Sequence, residues 1–352
     1  ACTDDLSRWP CPAGFEPMRY DLGMAYLGRA LAEQGYAVLV PDLAPLYVAG
    51  ALSDPYDQTT GWLRTVGGLR DEVVAATRGE DSALGEGLAG TIDLDRVGLM
   101  VHSRSGYMIN AAVEDWREST TPIDSAMAYG GAYHVNQTSE GEFSPAVPPE
   151  VAFLGISGEL DMDVALLGQQ WAAEHVTGPR TAPWVNTLVP GYGHFMVNRS
   201  LSRRGIDDRP EVPGSPTAKD HEALMVDSST QWFDKTLRGG ANDLPTGAHD
   251  RLPRSFVGNP VTWLASTPGR KVSFTSGADE TELEALDGTE LAECRYYPPM
   301  DPTHHEDACE DPENGTMEIW STVTHMPVSG TRGARLSTAV EGVTGLALHL
   351  TP

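Results

Sequence analysis

Cations are scarce in this chain. Its 24 lysines and arginines face 50 aspartates and glutamates, a formal net charge of −26, and the lysines are Lys219, Lys235 and Lys271 alone. Such a surface repels phosphate backbones, so nucleic acid is not an expected partner. Long apolar runs are missing too. No stretch approaches the ~18 residues that suggest a membrane span, and no transmembrane segment is expected. The chain opens on Ala1 without a charged-then-apolar leader, so no signal peptide is expected within it; one already removed fits equally well. Cysteine is sparse: Cys2, Cys11, Cys294 and Cys309. None has the close Cys-x₂₋₄-Cys spacing of a zinc site, so no metal is expected. Proximity favours the disulfides Cys2–Cys11 and Cys294–Cys309, one of the three pairings that four cysteines allow, with four free thiols as the alternative. Two disulfides imply an oxidising compartment, hence a secreted or extracellular protein.

What is present is an alternation of helical and continuously apolar segments. Residues 21–34 place Met24, Leu27, Leu31 and Ala32 near helical spacing, and Gly35 ends that helix. Ala37–Val40 reads as a short strand. A helix over 61–78 is weakened by Gly67-Gly68. Residues 96–101 form a second strand, followed by a helix from about Gly106 to Trp116. Further strands are expected at 125–129, 151–156 and 184–189, with helices at 163–175 and 219–237. Apolar strands alternating with helices predict a parallel sheet covered on both faces. After Gly239-Gly240 the style changes. Residues 246–352 offer no convincing helix, only strand-like pieces such as Lys271–Phe274, Met317–Val323 and Gly345–Leu350. The expected division is an α/β domain over 1–245 and a small all-β domain over 246–352, whose C-terminal end reads as incomplete.

Three segments carry candidate chemistry. Val101-His102-Ser103-Arg104-Ser105-Gly106 joins a strand to a helix. A serine on such a tight turn presents its hydroxyl above the sheet edge, and the helix start beneath it favours developing negative charge. Val101 departs from the glycine expected two residues before the nucleophile of a G-x-S-x-G elbow. The strand at 151–156 runs into Ser157-Gly158-Glu159-Leu160-Asp161-Met162-Asp163, where Asp161 is the first choice for a carboxylate that orients a histidine and Asp163 the alternative. The strand at 184–189 runs into Pro190-Gly191-Tyr192-Gly193-His194, which places His194 as general base. The order Ser, Asp, His is that of an α/β-hydrolase. Other histidines read as bland. His102, adjacent to Ser103, is expected to point elsewhere, His134 lacks a partner pattern, and His175 reads as helix surface. His304-His305 within the acidic run 301–313 reads as a solvated loop rather than a calcium site.

The runs AYLGRALAEQGYAVLVPD and DLDRVGLMVHSRSG, the Asp161 loop and PGYGH together resemble the α/β-hydrolase superfamily. CPAGFEP with YLGRALAEQGY and VHSRSG is similar to secreted bacterial hydrolases of the chlorophyllase and polyester-hydrolase (cutinase-like) neighbourhood, whose elbow reads GHSRGG. The resemblance covers about residues 1–240. It implies Ser103 as nucleophile, Asp161 as acid, His194 as base and the backbone N–H of Arg104 as one oxyanion donor. It also implies that 37–40 and 96–101 match the fourth and fifth strands of the family's sheet. The third strand, lying between them in space and carrying the other oxyanion donor, would then precede Ala1, so N-terminal strands are expected to be missing.

The expected function is hydrolysis of a small-molecule or polymeric carboxylic ester through an acyl-enzyme, without cofactor or metal. A peptidase or amidase with the same triad is the alternative, as is an inactive hydrolase fold kept for binding. The sequence names no ligand for the β-rich tail.

Overall fold

A computed structural model describes residues 2–3, 10–47, 58–133, 147–164, 167–168, 171–172, 180–209 and 213–269, together with the strand pairing of 282–285, 290–296, 322–329 and 334–337. Its centre is a mixed, mostly parallel sheet. Strands β1 (Val97–His102), β2 (Ile123–Tyr129), β3 (Ala152–Gly158) and β4 (Trp184–Val189) run parallel in chain order, and β7 (Thr262–Ser266) closes the far edge antiparallel to β4. A two-residue pair, β5 (Ser255–Phe256) and β6 (Asn259–Pro260), precedes β7. β7 lies past residue 246, so the sheet draws on both sides of the division expected there. This is an α/β fold. Among the described residues, no helix is long and apolar enough to cross a membrane.

Side-chain alternation divides the core between the two faces of the sheet. Met127, Tyr129, Leu154, Ile156, Val185 and Val189 pack with α1 (Tyr20–Glu33) and with the long helix over Ala218–Arg238. Ala126, Ala128, Phe153 and Trp184 pack with α2 (Gln58–Arg78) and α3 (Met108–Trp116). β3 and β4 are buried along their whole length. That explains why neither carries a charged residue, and why even the polar Ser157, Asn186 and Thr187 are buried. The expected helices at 21–34, 106–116 and 219–237 are present within a few residues. α2 runs unbroken through Gly67-Gly68, with Gly67 lying against the Trp116 indole, which itself stacks on Trp62. A short helix, α4, covers Arg199–Ser202, and α5 is Ala218–Arg238. α5 opens on a capping box in which Thr217 and Asp220 satisfy each other's backbone, and it ends at left-handed Gly239.

One expected strand is absent. Residues 37–40 are not paired into the sheet. Val38, Leu39 and Val40 are 36–42% exposed, and Val40 lies against Gly28 of α1. A strand exists through ladder bonds to a neighbour, and β1 pairs only with β2 among the described residues. Apolar content was therefore an insufficient signal. Cys2 and Cys11 form a disulfide with Cα atoms 5.5 Å apart. The pairing of Cys294 with Cys309 lies outside the described side chains, as do His134, His175, His304, His305 and the acidic run. In the tail, β8 (Glu282–Ala285) pairs with β11 (Ala334–Ser337), and β9 (Glu290–Tyr296) pairs with β10 (Thr322–Ser329), both antiparallel. The expected strands at 271–274 and 345–350 fall outside the described residues.

The core makes a direct prediction. Trp232 is fully buried on α5, and its indole N–H donates to the Ala126 carbonyl of β2 at 3.1 Å. Trp232→Ala should destabilise the fold by about 3–5 kcal/mol, read as a lowered denaturation midpoint.

Candidate active site

Because β1 to β4 are parallel, their C-terminal ends share one edge of the sheet, where open α/β sheets usually place ligands. Ser103 directly follows β1, with φ +57°. Left-handed backbone costs a residue with a side chain about 1–2 kcal/mol, so it persists only where the surroundings impose it. Here they do. The Ser103 carbonyl accepts a hydrogen bond from Ala132 N–H at 3.0 Å. Gly106 faces the Gly131–Ala132 backbone so closely that a Cβ would stand 2.9 Å from it. Val101, the departure from the elbow pattern, is buried in the core cluster beside α3, so this turn does not need glycine there. Arg104 lies in the single 3₁₀ turn Ser103–Tyr107. The first N–H groups of such a turn have no intrahelical acceptor.

Asp161 lies three residues beyond β3 and is 1% exposed. Its Oδ1 accepts from the N–H groups of Asp163 and Val164 at 3.1 and 2.9 Å. Its Oδ2 accepts from His194 Nδ1–H at 2.8 Å, and both side chains are fully buried. With Nδ1 donating, the neutral ring carries its lone pair on Nε2, the position a general base uses. Nε2 is buried and makes no hydrogen bond. Asp163 Oδ2 stands 3.4 Å away on that side. The two candidate carboxylates therefore divide: Asp161 takes Nδ1 and Asp163 faces Nε2.

The loop carrying His194 is held at each backbone polar group of residues 193 and 194. Tyr129 Oη donates to the Gly193 carbonyl at 2.7 Å, and Gly193 N–H donates to His221 Nε2 at 3.0 Å. His194 N–H donates to the Asp208 carboxylate at 2.8 and 3.1 Å, and the His194 carbonyl lies 3.2 Å from His102 Nε2. Asp208 also accepts from Met162 N–H at 2.7 Å, which ties the acid loop to the base loop. Next to it, Arg209 donates to the carbonyls of Gly191 and Pro216. His221 completes its role by bonding the Thr217 carbonyl through Nδ1 at 2.8 Å. Burial pushes its pKa down to about 4, so it stays neutral and keeps the lone pair that Gly193 needs. Burial and then the neighbouring His194 hold His102 well below its ordinary value. Burial opposes a charged His194 as well, but Asp161, Asp163 and Asp208 outweigh it and raise its pKa to about 9. Burial followed by the charge of Asp161 raises Asp208.

The structure thus brings Asp161, Asp163 and His194 into contact and sets Ser103 on the strained turn at the same sheet edge. His102, expected to be bland, lies against the His194 loop: its Nε2 meets the His194 carbonyl, and its ring centroid is 4.6 Å from that of His194. Sequence reasoning missed Tyr129, Asp208 and His221. Side chains that bond backbone groups of a distant loop leave no periodic mark. The one available signal was the charged triplet Asp207-Asp208-Arg209 soon after His194.

Gly130 provides a test of the geometry. Its φ is +50°, and a Cβ there would stand 2.8 Å from both Asp161 Oδ2 and His194 Nδ1. Gly130→Ala should displace or abolish the low-field proton NMR signal of Nδ1–H. Gly214→Ala is the control, since Gly214 also has positive φ but has nothing within 4 Å of its Cβ position; it should leave the signal in place.

No protein-family profile matches the chain, and no curated protein is similar enough to it to count as a match.

Proposed function

We propose that this chain is a serine hydrolase of the α/β-hydrolase type that cleaves carboxylic esters. The observation that carries the reading is Ser103 in left-handed backbone at the end of β1, with the buried Asp161–His194 pair at the same sheet edge. In this reading Ser103 Oγ attacks the ester carbonyl while His194 Nε2 takes its proton. Asp161 holds the tautomer and stabilises the imidazolium. The tetrahedral oxyanion receives the Arg104 backbone N–H, a kind of contact worth about 2.7–4 kcal/mol in a well-studied hydrolase. Collapse expels the alcohol, protonated by His194, and leaves an acyl-serine. Water then attacks that ester with His194 again as base, and the carboxylic acid departs. The ester preference rests on the resemblance to polyester hydrolases and chlorophyllases. The Cys2–Cys11 disulfide supports a secreted or extracellular setting.

Two outcomes test this. Ser103→Ala should lower hydrolysis of short p-nitrophenyl esters by about 10⁴-fold or more; unchanged turnover would overturn the proposal. The pH profile follows from the base. His194 works only when neutral, and its pKa lies near 9, so kcat/KM should rise with pH and level off above about 9. At pH 7 only about one active site in a hundred would hold a neutral His194.

A further inference from the structure

A histidine base in a triad needs one carboxylate, and Asp161 supplies it. The imidazole here meets a second carboxylate on its other nitrogen. Asp163 Oδ2 is 3.4 Å from Nε2, the atom that must receive the serine proton, and Nε2 has no hydrogen-bond partner of its own. The placement is built in by the chain. Asp161 Oδ1 accepts the N–H groups of Asp163 and Val164, and this turn returns residue 163 toward the ring that Asp161 Oδ2 holds. The Asp163 side chain is 44% exposed while His194 is wholly buried, so Asp163 can move into solvent and the ring cannot.

We propose that Asp163 is a positioning residue that occupies Nε2 of His194 in competition with Ser103 and thereby confines turnover to alkaline pH. This rests on the hydrolase reading above. With the ring protonated, Nε2–H faces Asp163 and the cation is bridged by two carboxylates. Loss of that proton leaves a lone pair facing a carboxylate, which is repulsive. Asp163 then swings outward and Nε2 becomes free for the Ser103 hydroxyl. Every charged or titratable group around the ring bears on this balance. Asp161 and Asp163 come from the loop after β3. Asp208, from the loop before α5, bonds the His194 N–H. His102, at the end of β1, lies tilted beside the ring, and Tyr129 of β2 bonds the adjacent Gly193 carbonyl. Asp208 and Asp161 are tied down by backbone N–H groups or by Nδ1–H, whereas Asp163 is the exposed member whose carboxylate faces Nε2.

The test uses the full chain with Asp163→Asn, and Asp115→Asn as a remote control that removes the same exposed charge. Two readouts are followed: the midpoint of the alkaline rise in p-nitrophenyl ester hydrolysis, and the NMR titration of the His194 ring. The proposal expects both midpoints to fall by about one unit in Asp163→Asn, raising the rate at pH 7 about tenfold, with Asp115→Asn moving neither. Midpoints that stay in place, or that move no further than in the control, overturn it. Activity lost at every pH with the ring titration unmoved also overturns it, since Asp163 would then be merely structural. Hydrolysis that survives Ser103→Ala defeats the hydrolase reading itself, and the NMR titration still reports separately on Asp163.

Discussion

The hydrogen bond from His194 Nδ1 to Asp161 Oδ2 joins two side chains that are completely removed from water. A buried ionisable pair is stable only if its geometry is enforced and its remaining polar atoms are satisfied. Both partners sit on loops, which by themselves enforce little. The rigidity comes from elsewhere. Tyr129, His221, Asp208 and His102 take up the backbone groups of residues 193 and 194, and the N–H groups of Asp163 and Val164 take up the other oxygen of Asp161. These four side chains come from β2, α5, the loop before α5 and the end of β1. The site is therefore a joint product of the sheet and one of its covering layers, and disturbing any of them reaches His194.

The parallel sheet makes that convergence possible. Four strands running the same way bring Ser103, Asp161 and His194 to one edge, although 91 residues of chain separate the first from the last. Packing on both faces fixes the strands: Trp184 and Phe153 on one side, Trp232 with Leu154 and Val185 on the other. The strain at Ser103 is tolerable because Ala132 and the small residue Gly106 lock the turn against the segment after β2.

Much of this could be read from the chain. β2, β3 and β4 stand out as largely apolar runs because both faces are buried, and the residues just past the C-terminal ends of such strands are the natural candidates for chemistry. Asp161 and His194 were identified on that basis and do meet. The failures have physical causes. Val38-Leu39-Val40 looks like a strand by composition, but a strand needs a neighbour, and no described strand pairs with it. Val101 departs from the glycine of the elbow pattern, but its side chain is buried in the core cluster beside α3. Asp163 reads in the sequence as a rival to Asp161, but two residues of one turn reach opposite nitrogens of the same ring. Asp208 and His221 were invisible because their partners are backbone groups of a remote loop.

The central claim is that Ser103 is a nucleophile activated by His194. The most direct measurement is covalent labelling of the native chain with a fluorophosphonate at pH 9, followed by peptide mapping. The account predicts one phosphonylated residue, Ser103, with labelling suppressed in His194→Ala. Label on another residue, or a Ser103 that stays unmodified while the protein is folded, would contradict it.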